Sequence, residues 1–194
     1  TRSDSTGCSE VETSSDCGTT ESCFPAGTKI LLSDGSYKNI EDIEVGEYVT
    51  SYNEINKKNE DSEVLEIESP IRDHMCKIIF SDNSELNLTS EHPIYSKTGW
   101  KSINPEDTKK EKSYMGFVEK LSLGDLILSS DLDYKKVENI SCWNETIQTY
   151  NLKSVSKNRN FYANNILAHN KGETCIDSDG DGYCTTDCNN NNGN

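Results

Sequence analysis

"CKIIFSDNSELNLTSEHPIY", residues 76–95, is the stretch on which the fold turns. Two short apolar-rich runs flank a turn at Asp82-Asn83, so it reads as a β-hairpin. The second run empties into Thr89-Ser90-Glu91-His92-Pro93. The same grammar recurs outward. "TKILLSDGSYKNI" (28–40) is a strand, an Asp34-Gly35 turn and a return strand. "GEYVTSYN" (46–53) follows, with Tyr48, Thr50 and Tyr52 on one face. "DLILSS" (125–130), "KKVENISCW" (135–143) and "TIQTYNL" (146–152) continue as short strands. No amphipathic helix is evident beyond a turn near Ile40–Ile43, and "NPEDTKKEKSYMG" (104–116) reads as a long exposed loop. The expected fold class is all-β.

An internal echo refines this. "IEVGEYV" (43–49) and "LSLGDLI" (121–127) share the order apolar-x-apolar-Gly-acid-x-apolar. Two related halves would bring distant parts of the chain into comparable positions.

Composition divides the 194 residues into three. Residues 1–22 and 171–194 are Ser, Thr, Asp, Asn, Gly and Cys with little to bury, and the first should be flexible. Residues 23–170 carry nearly all the large apolar side chains and suffice for one core. A net charge of −15 argues against nucleic-acid binding, which needs Lys and Arg for phosphate contacts. No apolar run reaches the ~20 residues of a membrane span. Five of eight cysteines (8, 17, 175, 184, 188) lie in the polar ends, which suggests disulfide-bearing flanks of a secreted or cell-surface host. Cys76 and Cys142 read as packed core residues. No C-x-x-C pair supports zinc.

Residues able to do chemistry stand at both borders of the core. Cys23 opens it in "CFPAGTKILLSDG", and His169-Asn170 close it in "ILAHNKG" (166–172). Two of three histidines, His92 and His169, fall in these special places; the third is His74. With "LTSEHPIY" and "TYNLKSVSKNRNFYANNILAHN", these stretches resemble, in order and over the whole core, the motifs of the Hint superfamily of inteins, bacterial intein-like domains and hedgehog autoprocessing domains. The resemblance implies a horseshoe-like β fold with pseudo-two-fold symmetry, in a mini-intein or bacterial intein-like domain too short for a homing endonuclease. It implies roles for Cys23, Thr89, His92, His169 and Asn170. Cys23 would take the Ser22 acyl group as a thioester, with His92 protonating the leaving nitrogen and Thr89 holding the carbonyl oxygen. Asn170 would cyclise with help from His169 and cut the bond to Lys171. The substrate is the chain's own flanks, the domain should act as a monomer, and no cofactor is needed.

The departures from the pattern carry information. Lys171 stands where inteins place Cys, Ser or Thr. Its ε-amine is almost fully protonated near neutrality, so the usual branched ester is closed. Asn151 stands for a common Asp or Cys, and Arg159 for a common His. The expected outcome is cleavage at one or both borders. Ligation through the Lys171 α-amine, or capture of the thioester by an external thiol or amine, would be secondary. In the C-terminal flank, "DSDGDGYCTTDC" (177–188) resembles the start of an EF-hand loop, with Asp177, Asp179, Asp181, Tyr183 and Asp187 as candidate calcium ligands. The competing expectation is a secreted calcium-binding or adhesion module whose β domain does no chemistry.

Overall fold

A computed structural model describes residues 22–110 and 117–170. Within them the chain forms fourteen strands: β1 (Phe24–Pro25), β2 (Lys29–Leu31), β3 (Tyr37–Asn39), β4 (Tyr48–Asn53), β5 (Lys58–Glu68), β6 (Ile71–Phe80), β7 (Glu85–Leu88), β8 (Ile94–Ser96), β9 (Gly99–Ser102), β10 (Glu119–Lys120), β11 (Leu126–Leu128), β12 (Tyr134–Val155), β13 (Asn160–Ala163) and β14 (Ile166–His169). They join in one sheet along the path β3-β2-β13-β14-β8-β11-β12-β5-β4, with β1 and β6 on β12, β7 on β6, and β9 and β10 beyond β8. Only β9–β10 is parallel. The hairpins arise where the turn residues allow: Asn83 has φ +62° between β6 and β7, and Asn164 and Asn165, at +47° and +66°, join β13 to β14. Ile40–Asp42 forms the one short 3-10 turn among the described residues. The main core gathers Phe24, Ile78, Phe80, Ile127, Phe161 and Ile166.

Three features depart from the sequence reading. The runs at 135–143 and 146–152 are not separate strands but parts of β12, which is 22 residues long. The polar Asn144-Glu145 between them, with Thr146, is absorbed in a register shift against β6. Within the expected loop, Pro105–Thr108 form a four-residue helix, α1, with Pro at its first turn and the Asn104 side chain accepting from the Asp107 N–H. Cys76 and Cys142 are not simply packed. They face each other between β6 and β12 and form a disulfide, Cys76 buried and Cys142 exposed.

The internal echo corresponds to a repeated hydrogen-bond pattern. The Gly46 N–H donates to Val64 O at 2.8 Å, and the Gly124 N–H to Val137 O at 2.8 Å. The Val64 N–H returns to Glu47 O at 2.8 Å, and the Val137 N–H to Asp125 O at 2.9 Å. Glu47 and Asp125 each accept from the backbone three residues before (2.8 Å in both) and pair with a lysine, Lys38 at 2.9 Å and Lys101 at 2.8 Å. The repeat reaches beyond the two heptapeptides. The β2–β3 hairpin docks on β4 through the Ser33 N–H and Tyr48 O (3.0 Å), as β8–β9 docks on β11 through the Lys97 N–H and Leu126 O (2.8 Å). Two like halves therefore share one sheet, with β12 running between them.

Candidate active site

Cys23 enters β1, which is hydrogen-bonded to β12 with Phe24 opposite Tyr150. The end of β7 leads into the loop Thr89–Pro93, and β14, set between β13 and β8, ends at His169. These three segments meet. The Cys23 N–H donates to the Thr89 hydroxyl at 3.0 Å, and the Thr89 N–H donates to Cys23 O at 3.0 Å. From the same loop, His92 Nε2 lies 3.0 Å from His169 O. A carbonyl oxygen only accepts, so this nitrogen carries the proton. The His169 N–H in turn donates to Pro93 O at 3.0 Å. One loop thus touches both borders. Ser22, Cys23, Thr89, His92 and Asn170 are all buried, and Cys23 is in no disulfide.

Thr89 sits differently from expectation. Its hydroxyl is on the nitrogen of the Ser22–Cys23 peptide bond, and its backbone N–H is on the Cys23 carbonyl rather than that of Ser22. This geometry follows from the residue after β7 meeting the residue before β1, so that Thr89 takes both the N–H and the carbonyl of Cys23.

The loop is pinned from outside. The Asn104 N–H donates to Ser90 O at 2.8 Å, and the Thr108 hydroxyl, at the end of α1, to Glu91 O at 2.6 Å. The buried Glu91 carboxylate is 2.9 Å from His74 Nε2, and Asp73 is 2.9 Å from His74 Nδ1. The hydrogen bond to Glu91 raises the His74 imidazole to about 9, against the opposing effect of its burial. His74 is therefore an imidazolium at neutral pH and offsets the buried charge. The sequence reading left His74 aside; only the register of β6 brings it to the motif.

His169 keeps some exposed surface, but its ring stands edge-on to Trp100, with centroids 4.9 Å apart at 90°. Burial, with the Arg159 charge second, pushes its imidazole down to about 4. It is neutral at pH 7. Asn158 and Arg159 take positive φ, +60° and +50°, in a tight turn that points the Arg159 carbonyl at the Asn170 N–H, 2.9 Å away. In the orientation that satisfies both ends of its side chain, Asn170 donates from nitrogen to Arg159 O at 2.7 Å and accepts from the Val155 N–H at 3.0 Å. Arg159 thus contributes a backbone carbonyl and a charge.

Asn151 is buried on β12, and its Nδ2 donates to Glu68 Oε1 at 3.2 Å. Lys171 and the candidate calcium ligands Asp177, Asp179, Asp181, Tyr183 and Asp187 lie outside the described residues. Among the described residues no group of three or more His, Cys, Asp or Glu could hold a metal ion.

The paired halves and the meeting of the chain's two borders define the Hint fold of inteins. Solved structures with this fold include the bacterial intein-like domain from Clostridium thermocellum, 24% identical, with a TM-score of 0.63 over 76% of this chain and 98% of that one. The gp41-1 intein is 26% identical, with a TM-score of 0.57 over 77% and 99%. A DnaB intein from Synechocystis sp. PCC 6803 is 20% identical, with a TM-score of 0.64 over 77% and 99%. No curated protein matches the chain by sequence. The family model of the Ataxin-1 and HBP1 module (AXH) matches residues 24–132, more than half of the chain, and over that stretch the chain belongs to this sequence family. That module is a different one, and its match ends before β12, taking in neither His169 nor Asn170. The Hint fold spans the described sheet and includes both borders.

Proposed function

We propose that residues 23–170 form a single-turnover self-processing domain acting on its own flanks, residues 1–22 and 171–194. At the first border, Cys23 Sγ attacks the Ser22 carbonyl carbon. The new C–S bond replaces the C–N bond, and the thiol proton ends on the Cys23 nitrogen. The Thr89 hydroxyl, on that nitrogen, orients the amide, and His92 carries the proton. At the second border, Asn170 Nδ2 attacks its own carbonyl carbon. A succinimide closes, the bond to Lys171 breaks, and a proton passes to the departing amine. His169, neutral here, serves as a hydrogen-bonding imidazole and not as a standing acid. Both of these bond-breaking steps use groups of the chain itself, at the high effective concentration of an intramolecular reaction, and water then hydrolyses the Cys23 thioester and frees residues 1–22.

The observation that carries this reading is the Thr89–Pro93 loop. It clamps Cys23 by one bond from the Thr89 backbone N–H and one to the Thr89 hydroxyl oxygen, and reaches His169 O at 3.0 Å through His92. The inteins among the structural neighbours add support. Lys171 offers neither hydroxyl nor thiol to receive the acyl group, so cleavage at one or both borders is the main outcome. Ligation through its α-amine is secondary, and external thiols or amines can also take the thioester.

Intact-mass spectrometry over hours tests the reading on wild type, Cys23→Ala and Asn170→Ala. Wild type should release residues 1–22, faster with dithiothreitol, and residues 171–194. Cys23→Ala should lose only the first release and Asn170→Ala only the second. Three chains that stay whole with and without thiol would overturn it.

A further inference from the structure

Three strands set three polar side chains in one row beside the first border. β5 meets β12 with Asn151 opposite Glu68. Just along that register, the Thr149 N–H and hydroxyl both donate to Pro70 O, at 2.9 and 2.7 Å. β1 meets the other side of β12 with Phe24 opposite Tyr150 and Pro25 opposite Thr149. The next step of the same antiparallel ladder puts Cys23 opposite Asn151. Directly opposed residues project to the same face, with Cβ atoms about 4.5–5.5 Å apart. Cys23, Asn151 and Glu68 therefore share a face, with the thiol at one end and a carboxylate at the other.

The middle member is oriented by the outer one. A carboxylate can only accept, so the bond from Asn151 Nδ2 to Glu68 Oε1 turns the amide nitrogen toward β5 and Oδ1 away from it. Asn151 Oδ1 is buried and has no hydrogen-bond partner among the described residues. A buried amide oxygen without a donor is unfavourable, and its retention points to a neighbouring donor that turns to it before the reaction. The Cys23 S–H is the side-chain donor that the row provides.

We propose that Glu68 is a positioning residue for Cys23: by fixing Asn151 it aims Oδ1 at the thiol and holds the nucleophile protonated until the acyl shift begins. This rests on the self-processing reading. A carboxamide is no base at neutral pH and takes no proton, so the thiol proton still passes to the Cys23 nitrogen by way of His92. The Glu68 charge acts in the same sense, because a nearby anion disfavours a thiolate. The other charged or titratable groups around the row are Glu91 and His92 in the loop after β7, His169 on β14, Arg159 after β12, and Lys153 on β12, which pairs with Glu66 of β5 at 2.5 Å. The pair acts as a brake on the first border and leaves the second alone.

The test compares wild type, Glu68→Gln and Glu68→Asp. Glu68→Gln keeps the side chain's shape, removes its charge and lets Asn151 turn over. The pH midpoint of dithiothreitol-induced release of residues 1–22 should move down by about half to one unit. Glu68→Asp should restore most of the wild-type midpoint, and cleavage at Asn170 should keep its rate in all three. Iodoacetamide alkylation of Cys23, read peptide by peptide in freshly purified uncleaved chain, should show the same downward shift. Midpoints that stay put, or equal changes at both borders, overturn the inference. A wild type that releases nothing overturns the self-processing reading instead, and the alkylation midpoint then decides the role of Glu68 by itself.

Discussion

At the first border, Thr89 holds Cys23 by its N–H and its carbonyl together, and the two bonds can be separated. Thr89→Val keeps the shape and the backbone bond to Cys23 O but removes the hydroxyl from the scissile nitrogen. Release of residues 1–22 should slow by about 10²-fold, the scale of one lost polar contact at a reacting amide. Release of residues 171–194 should be unchanged, both followed by mass spectrometry. A Thr89→Val chain that cleaves at the wild-type rate would leave the hydroxyl without a role. Cys23, Thr89, His92, His169 and Asn170 could be picked out from sequence because each lies in a contiguous motif or at a change of composition. Glu68 and His74 could not. Each is an ordinary polar residue on a long strand, and its place beside Asn151 or Glu91 depends on strand register, which local spacing does not encode.

Among elements, the turns before β4 and β11 offer a direct check that the two halves are equivalent. Gly46 and Gly124 have φ +92° and +88°, and a Cβ added at either meets nothing within 4 Å. The cost of Gly46→Ala or Gly124→Ala therefore comes from backbone conformation alone, about 1–2 kcal/mol each. The two should agree within about 0.5 kcal/mol and add in the double variant. Urea denaturation in a Cys23→Ala, Asn170→Ala background, where the chain stays whole, measures this. A large inequality would mean that the halves differ in load despite their matching bonds. The hairpins were legible because Asp34-Gly35 and Asp82-Asn83 are turn chemistry. The continuity of β12 was not, because Asn144-Glu145-Thr146 has the composition of a turn and only pairing with β6 keeps it in the sheet. The Cys76–Cys142 bridge was hidden for the same reason: its partners are 66 residues apart and meet by register.

For the molecule as a whole, the seven-residue echo gave the two halves, but the meeting of the borders rests on contacts such as His92 to His169, 77 residues apart. The histidines gathered there also govern how stability responds to pH. His74, raised from 6.5 to about 9, contributes stability that is complete below pH 6.5 and is lost as pH rises through 9. His169, lowered from 6.5 to about 4, contributes stability that is complete above pH 6.5 and is lost as pH falls through 4. Carboxylates such as Asp82, held low first by its hydrogen bond from Lys135, steepen the acid limb further down. The melting temperature of the Cys23→Ala, Asn170→Ala chain should therefore peak near pH 6.5 and fall on both sides. His74→Gln should flatten the basic limb between about pH 6.5 and 9, because the proton bound by the folded state there is no longer lost. A melting temperature of the Cys23→Ala, Asn170→Ala chain that keeps rising from pH 6.5 to 9 would show that the Glu91–His74 pair does not hold the loop as an ion pair, and the loop that joins the two borders would then be pinned from outside by Asn104 and α1 alone.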